Sequence, residues 1–129
     1  MKTLILITAF NVEKIIEEVI LRLPKKLKES HINAEILIID DASDDNTLKK
    51  IISIRDKYQD YKITCLSNKV NLGYGGNQKI GYYYAIKNNF DYVVLLHGDG
   101  QYAPEKILDM LNPLINNQAD AVQGSRMIK

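Results

Sequence analysis

The amino-acid sequence predicts an α/β fold built on a mostly parallel, Rossmann-like sheet with helices on both faces. Two observations carry the prediction. Short runs rich in leucine and β-branched residues alternate with longer segments of helical periodicity, and the alternation repeats four times. The short runs are also nearly continuous in apolar residues, as strands covered on both faces require. Parallel neighbours need crossover connections, and the helical segments supply them.

The expected strands are Thr3 to Thr8, Glu35 to Asp40, Lys62 to Ser67, Tyr92 to Leu96 and Ala119 to Gln123. Between the first two, Val12, Ile15, Ile16, Val19, Ile20, Leu23 and Leu27 recur at spacings of three and four, with Glu17, Glu18, Lys25 and Lys28 between them, which predicts an amphipathic helix. Leu48, Ile51, Ile52 and Arg55 repeat the pattern after Asp44 and Asp45, two acids suited to the positive end of a helix dipole. A third helix is expected over about Asn77 to Asn88. A fourth starts at Pro104, carries Ile107, Leu108, Leu111 and Ile115 on one face, and is expected to kink or end near Pro113.

At 129 residues the chain is long enough for one domain with a real core. Its 46% hydrophobic and 26% charged residues exclude disordered and disulfide-framework classes. A net charge of +1 gives no sign of a nucleic-acid partner. The single Cys65 cannot form an internal disulfide and fits a reducing, cytoplasmic compartment; it reads as a buried small hydrophobe and not as a nucleophile. No apolar run approaches the roughly 20 residues that span a bilayer. The apolar start at Met1 is interrupted by Asn11, Glu13 and Lys14 before a signal peptide could form.

In an open α/β sheet, ligands bind beyond the carboxyl ends of the strands, so the residues that follow each strand are the candidates. Those are Ala9 to Glu13, Asp40 to Asp45, Asn68 to Asn77, His97 to Gln101 and Gly124 to Arg126. Six of the seven glycines fall between Gly73 and Gly100, which concentrates backbone freedom at the same edge. Asp40 and Asp41 could accept hydrogen bonds from a ribose or a base, or could serve the capping of the next helix. Asp99 between two glycines has the look of a cation site at a pyrophosphate, with Gln101 as a further oxygen ligand and His97 shifting preference from magnesium to manganese; a tight turn is the equal alternative. The Gly73 to Gly76 run fits neither familiar glycine-rich phosphate template and reads as close packing of a helix start near a ligand. Lys79 and Arg126 are candidate phosphate partners, Arg126 the better placed and equipped with a bidentate fork.

At these clusters the sequence resembles the family 2 glycosyltransferases of the GT-A fold, a group that includes polyprenyl-phosphate sugar transferases. Ile7-Thr8-Ala9-Phe10-Asn11-Val12-Glu13 is similar to the opening nucleotide motif, Ile38 to Thr47 to the Val-Asp-Asp-Gly-Ser segment, Asn71 to Asn77 to the Asn-x-Gly-x-Gly region, and Gly98 to Glu105 to the surroundings of Asp-x-Asp. The resemblance runs from Thr3 to about Met127. It implies an inverting transferase acting on a UDP- or GDP-sugar, with a divalent cation, Mg2+ or Mn2+, neutralising the departing diphosphate. By that resemblance Thr8, Ala9, Phe10, Glu13, Asp40, Asp41, Asn71, Gly73, Lys79 and Gly98 bind substrate. Asp99, His97 and Gln101 hold the metal, and Asp99 and Arg126 act in catalysis, Arg126 by stabilising developing negative charge.

Three departures qualify the match. His97 replaces the first aspartate of Asp-x-Asp, and Thr8 and Val12 replace the usual proline and first glutamate. The chain also stops at Lys129, where family members continue with an acceptor-binding half. The expectation is therefore a single donor-binding domain over residues 1–129, an N-terminal fragment incomplete for turnover. Its acceptor would be a lipid phosphate or a glycan hydroxyl in cell-wall or polysaccharide synthesis, at the inner face of the membrane, and exposed apolar surface would favour a homodimer. The alternative is a nucleotide or nucleotide-sugar binding module without catalysis.

Overall fold

Four strands, β1 (Thr3–Ala9), β2 (Ala34–Asp40), β3 (Lys62–Ser67) and β4 (Tyr92–His97), form one sheet in the order β3-β2-β1-β4 in a computed structural model that describes residues 1–29 and 32–124. Every pairing is parallel, with Ala9 beside Asp40, Asp40 beside Ser67 and Thr8 beside His97. All the strand ends therefore meet at one edge. The connections are α1 (Ile16–Leu21), α2 (Thr47–Lys57) and α3 (Gly73–Lys87), with α4 (Ile107–Ile115) after β4.

The period of two along the strands divides the core into two layers. Ile5, Ile7, Ile36 and Ile38 point to the side covered by α1, α2 and α4, where they meet Ile16, Val19, Ile51, Ile54, Ile107 and Leu111. Leu4, Leu6, Leu37 and Ile39 point the other way and meet Ala85 of α3. Gly81 lets α3 approach β1 closely, since a Cβ there would stand 2.3 Å from Leu6 Cδ2. Both faces of β1 and β2 are thus covered, which accounts for their uninterrupted apolar runs.

Three expectations are corrected. The first helix does not continue to Leu27: it ends at Leu21, and Pro24, with extended ψ of 133°, leads into a 3₁₀ turn over Lys25–Lys28. Proline lacks the amide hydrogen and its ring crowds the preceding turn. Leu23 and Leu27 remain buried all the same. The third helix begins at Gly73, four residues before Asn77, because a distant carboxylate receives its first amides. The fifth strand expected over Ala119 to Gln123 is not formed. The amides of Gln118 and Ala119 instead bond the Pro113 carbonyl, two residues before the end of α4. Within the segment only Val122 is β-branched.

A charged clasp joins α1 to α2. Glu17 accepts hydrogen bonds from Lys57 Nζ at 2.8 Å and Tyr58 Oη at 2.7 Å, and pairs with Lys50 Nζ at 2.9 Å. Lys57, then Lys50 and Tyr58, hold its carboxyl down from the usual 4.5 to about 2. A depressed carboxylate pKa stabilises the fold above the unfolded value and loses that contribution as pH falls through the folded one. The clasp is therefore expected to be intact above pH 4.5 and to loosen between there and about pH 2. A carbon-detected carboxyl titration should place the Glu17 midpoint near 2, and a midpoint above 4 would contradict the clasp. No helix among the described residues is long and apolar enough to cross a membrane.

Candidate functional site

The strand order reverses between β1 and β4, where β1 feeds leftward to β2 and the long crossover from β3 returns to β4. A crevice opens beyond the strand ends at such a point. Here it is a cleft of about 280 Å³ lined by Thr8, Ala9, Phe10 and Val12 at the end of β1 and just beyond it; by Asp41 after β2, Asn71 before α3, and Gly73, Tyr74 and Asn77 in its first turns; and by His97, Gly98 and Asp99 at the end of β4 and just beyond it.

Backbone bonds carry the sheet ladder past the strand ends and fix the cleft floor. Gly98 donates its amide to the Thr8 carbonyl at 2.8 Å, Asp41 to Ala9 at 2.9 Å, and Asn68 to Asp40 at 2.9 Å. The loop after β1 is laced to the loop after β2. Ser43 Oγ accepts the Asn11 amide at 3.0 Å, Asn11 Oδ1 accepts the Asp44 amide at 2.9 Å, and Thr47 Oγ1 accepts the Val12 amide at 2.9 Å. Asn11 and Ala42 take positive φ of 51° and 56° to make these turns. A non-glycine residue in that region is uncommon and is held there by its surroundings.

The two adjacent aspartates have different partners. Asp40 is 3% exposed, does not line the cleft, and accepts the Ser43 hydroxyl, so it braces the loop. Asp41 does line the cleft, yet its carboxylate is engaged by Asn68 Nδ2 at 2.9 Å, the Leu72 amide at 2.8 Å and the Gly73 amide at 3.0 Å. Asn71 Nδ2 adds a bond to the Asp41 carbonyl at 3.1 Å. Asp41 therefore caps the start of α3 across the chain and holds the Gly73 and Tyr74 rim of the cleft. The capping of α2 falls to Asp45, whose carboxylate accepts the Thr47 amide at 3.0 Å. Buried Asn77 closes this network, accepting from Asn68 at 2.9 Å and donating to the Ile39 carbonyl at 3.3 Å.

His97 is flanked by aromatic rings. Tyr74 meets it edge-on at 5.1 Å between centroids and Tyr102 lies tilted at 5.0 Å, while Nδ1 stands 3.4 Å from Thr8 Oγ1. Asp99 Oδ1 accepts the Gln101 amide at 3.1 Å, which shapes the turn. The turn reading of Asp99 is seen in that bond, and the residue also lines the cleft.

Among the described residues, the cleft lining contains two carboxylates and neither lysine nor arginine. The Asp41 carboxylate is engaged by three donors, whereas that of Asp99 accepts one backbone amide, from Gln101. Among the described residues no three His, Cys, Asp or Glu side chains gather as a metal cluster. This sparse set suits a hard cation that keeps water and takes most of its other oxygens from a substrate diphosphate. It does not suit a cation caged by protein alone.

Of the residues expected at the site, Thr8, Ala9, Phe10, Asp41, Asn71, Gly73, His97, Gly98 and Asp99 come together at the cleft. Glu13, Asp40, Lys79 and Gln101 are not part of its lining; Lys79 lies exposed on α3 and Gln101 beyond the turn. Arg126 lies outside the described residues. Val12, Tyr74 and Asn77, which lie within the strand-end clusters but were not among the substrate-binding residues the resemblance implies, also join the lining. Asn77 had a signal in principle, an amide amid glycines where a helix starts, but its partners are 9 and 38 residues away.

Comparison with known proteins follows the same outline. Residues 4–129 match the family model for Glycosyl transferase family 2. A UDP-N-acetylglucosamine–dolichyl-phosphate N-acetylglucosaminyltransferase of Methanococcus voltae is 30% identical over 133 aligned residues, covering 95% of this chain and 51% of the relative. The chain thus spans about half the length of that relative. Among solved structures, a mannosyltransferase from Pyrobaculum calidifontis in complex with GDP-Man and Mn2+ superposes with a TM-score of 0.68 at 16% identity, over 83% of this chain and 30% of that one. S. aureus TarS in complex with UDP-GlcNAc gives 0.68 at 20% identity, over 100% of this chain and 37% of its own. At those identities the likeness concerns the fold.

Proposed function

The chain belongs to glycosyl transferase family 2 and has the GT-A fold, and on that premise we propose that it forms the donor-binding part of an inverting sugar transferase. The observation that carries the reading is the cleft at the β1/β4 switch point, where Asp99 faces a space lined by the strand-end loops. In this reading the nucleoside rests against Thr8, Ala9, Phe10 and the Asp41 backbone, and the diphosphate lies towards Gly98 and Asp99. Among the described residues the lining places Asp41 and Asp99 but no lysine or arginine beside the diphosphate, so a divalent ion bridging Asp99 and the phosphates would offset their like charge.

Asp99 would hold Mg2+ or Mn2+, with Gln101 and His97 as the neighbouring candidates, and the bound ion would neutralise the leaving diphosphate. The acceptor oxygen then forms a bond to the anomeric carbon from the face opposite the departing oxygen, and the sugar is inverted. Arg126 is assigned to the negative charge that develops on the leaving group. The M. voltae relative supports a polyprenyl phosphate as acceptor, a nucleophile that is already ionised and needs no general base. Such an acceptor would place the whole protein at the cytoplasmic face of a membrane. The same relative makes UDP-N-acetylglucosamine the first donor to try, ahead of a GDP-sugar.

Thermal unfolding tests the reading. Ligand at about 100 times its dissociation constant stabilises a fold by about 2.7 kcal/mol, which shifts the midpoint by several degrees. UDP or GDP with Mn2+ should give that shift, and ATP with Mn2+ should not. An unmoved midpoint with both diphosphates would refute the donor-site assignment.

A further inference from the structure

Arg22 stands outside the cleft, at the C-terminal cap of α1, and belongs to none of the strand-end clusters. Its guanidinium nevertheless reaches the segment after β4 at two places. Nη1 donates to the Gly100 carbonyl at 3.2 Å, while Nε and Nη2 donate to Glu105 Oε2 and Oε1 at 3.1 and 3.2 Å. The second pair is a bidentate fork, the arrangement that fixes geometry as well as supplying attraction. Gly100 has φ of +73° and lies between Asp99 and Gln101. The point where its Cβ would be is 3.4 Å from both Arg22 Nη1 and Ile15 Cγ2, so the apex of the turn rests on α1.

An exposed ion pair of this kind adds little to stability. The side chains are 32% and 49% exposed, which puts the pair in that class. The bond to Gly100 is different: that carbonyl is one peptide from the residue that faces the cleft. Arg22 thereby ties both the turn and the 3₁₀ turn over Pro104–Lys106, which carries Glu105, to the end of α1. Inside the turn, the Gly100 amide meets the His97 carbonyl at 3.4 Å and Asp99 Oδ1 accepts the Gln101 amide at 3.1 Å, and Arg22 adds a tie from outside it.

We propose that Arg22 is a positioning residue for cation-assisted diphosphate binding: by holding Gly100 and Glu105 it fixes the turn that carries Asp99 at the cleft. The inference rests on the donor-site reading above. Its specific consequence is that Arg22 affects the part of nucleotide binding that depends on the cation and spares the part that does not.

Calorimetric titration of the wild type, Arg22→Ala and Arg22→Lys with UDP and GDP, each with and without Mn2+, separates the cases. In the wild type Mn2+ should tighten binding of one nucleotide. Arg22→Ala should lose about tenfold of that gain, the size seen when a group supporting a metal ligand is removed, with metal-free affinity unchanged. Arg22→Lys, which keeps the charge without the fork, should resemble alanine. An undiminished Mn2+ gain in Arg22→Ala overturns the inference, and so does an equal loss with and without Mn2+, the result of a merely structural role. A wild type that binds without any Mn2+ gain refutes the cation reading itself and the inference with it.

Discussion

Asp41→Ala should lower the free energy of unfolding by about 2–4 kcal/mol, because a mostly buried carboxylate and its charge-assisted bonds are removed together. The carboxylate accepts from Asn68, Leu72 and Gly73, and it is 4% exposed. Leu72 and Gly73 are exposed enough for water to replace part of the loss, which sets the upper end of the range. Asp41→Asn keeps one acceptor oxygen and turns the other position into a donor facing a donor, so about half the loss is expected. Urea unfolding measures both. Nucleotide binding should weaken in parallel, since the rim residues Gly73 and Tyr74 lose their anchor. A variant as stable as the wild type would show that α3 starts without this cap.

Asp99→Ala should behave in the opposite way. The side chain accepts one backbone amide, from Gln101, and is partly exposed, so the midpoint of unfolding should change little. The Mn2+-dependent gain in nucleoside diphosphate affinity should disappear, a loss of about a hundredfold or more, larger than the range for residues that only support a ligand. Affinity without metal should persist or rise slightly as a negative charge leaves the cleft. Calorimetry with UDP and GDP checks this directly. An unchanged Mn2+ response in Asp99→Ala would move the cation elsewhere.

The contrast between these two aspartates shows what the sequence could and could not disclose. Strand position and the meeting of the loops at one edge were legible, because β1 and β2 are apolar on both faces and parallel connections force the topology. The turn at Asp99 and its place at the strand-end edge were legible from its flanking glycines and its position after β4. For Asp41 the weighing of ligand against cap had the right terms but the wrong helix: its amide donors lie 31 and 32 residues ahead, at the start of α3. Local spacing carries no information about such a partner. Asp40, adjacent in sequence, turns to Ser43 instead.

The helix and strand errors have equally definite causes. Periodicity extends the first helix through Leu27 because Leu23 and Leu27 keep the spacing and are in fact buried, yet Pro24 changes the backbone beneath them. The segment from Ala119 to Gln123 keeps a strand's place in the alternation but carries one β-branched residue, Val122. Arg22 was not legible at all. Its importance lies in contacts to Gly100 and Glu105, 78 and 83 residues away.

The measurement closest to the central claim is an amide chemical-shift titration of the isotopically labelled chain with UDP and with GDP in the presence of Mg2+, which is diamagnetic and leaves the site resonances visible. The account predicts shifts for Thr8 to Val12, Asp41 to Ser43, Asn71 to Asn77 and His97 to Gln101 with one of the two nucleotides, and a quiet opposite edge around Lys2, Asn33 and Asp91. Shifts centred on that opposite edge, or none with either nucleotide from a sample whose spectrum is that of a folded protein, would contradict it.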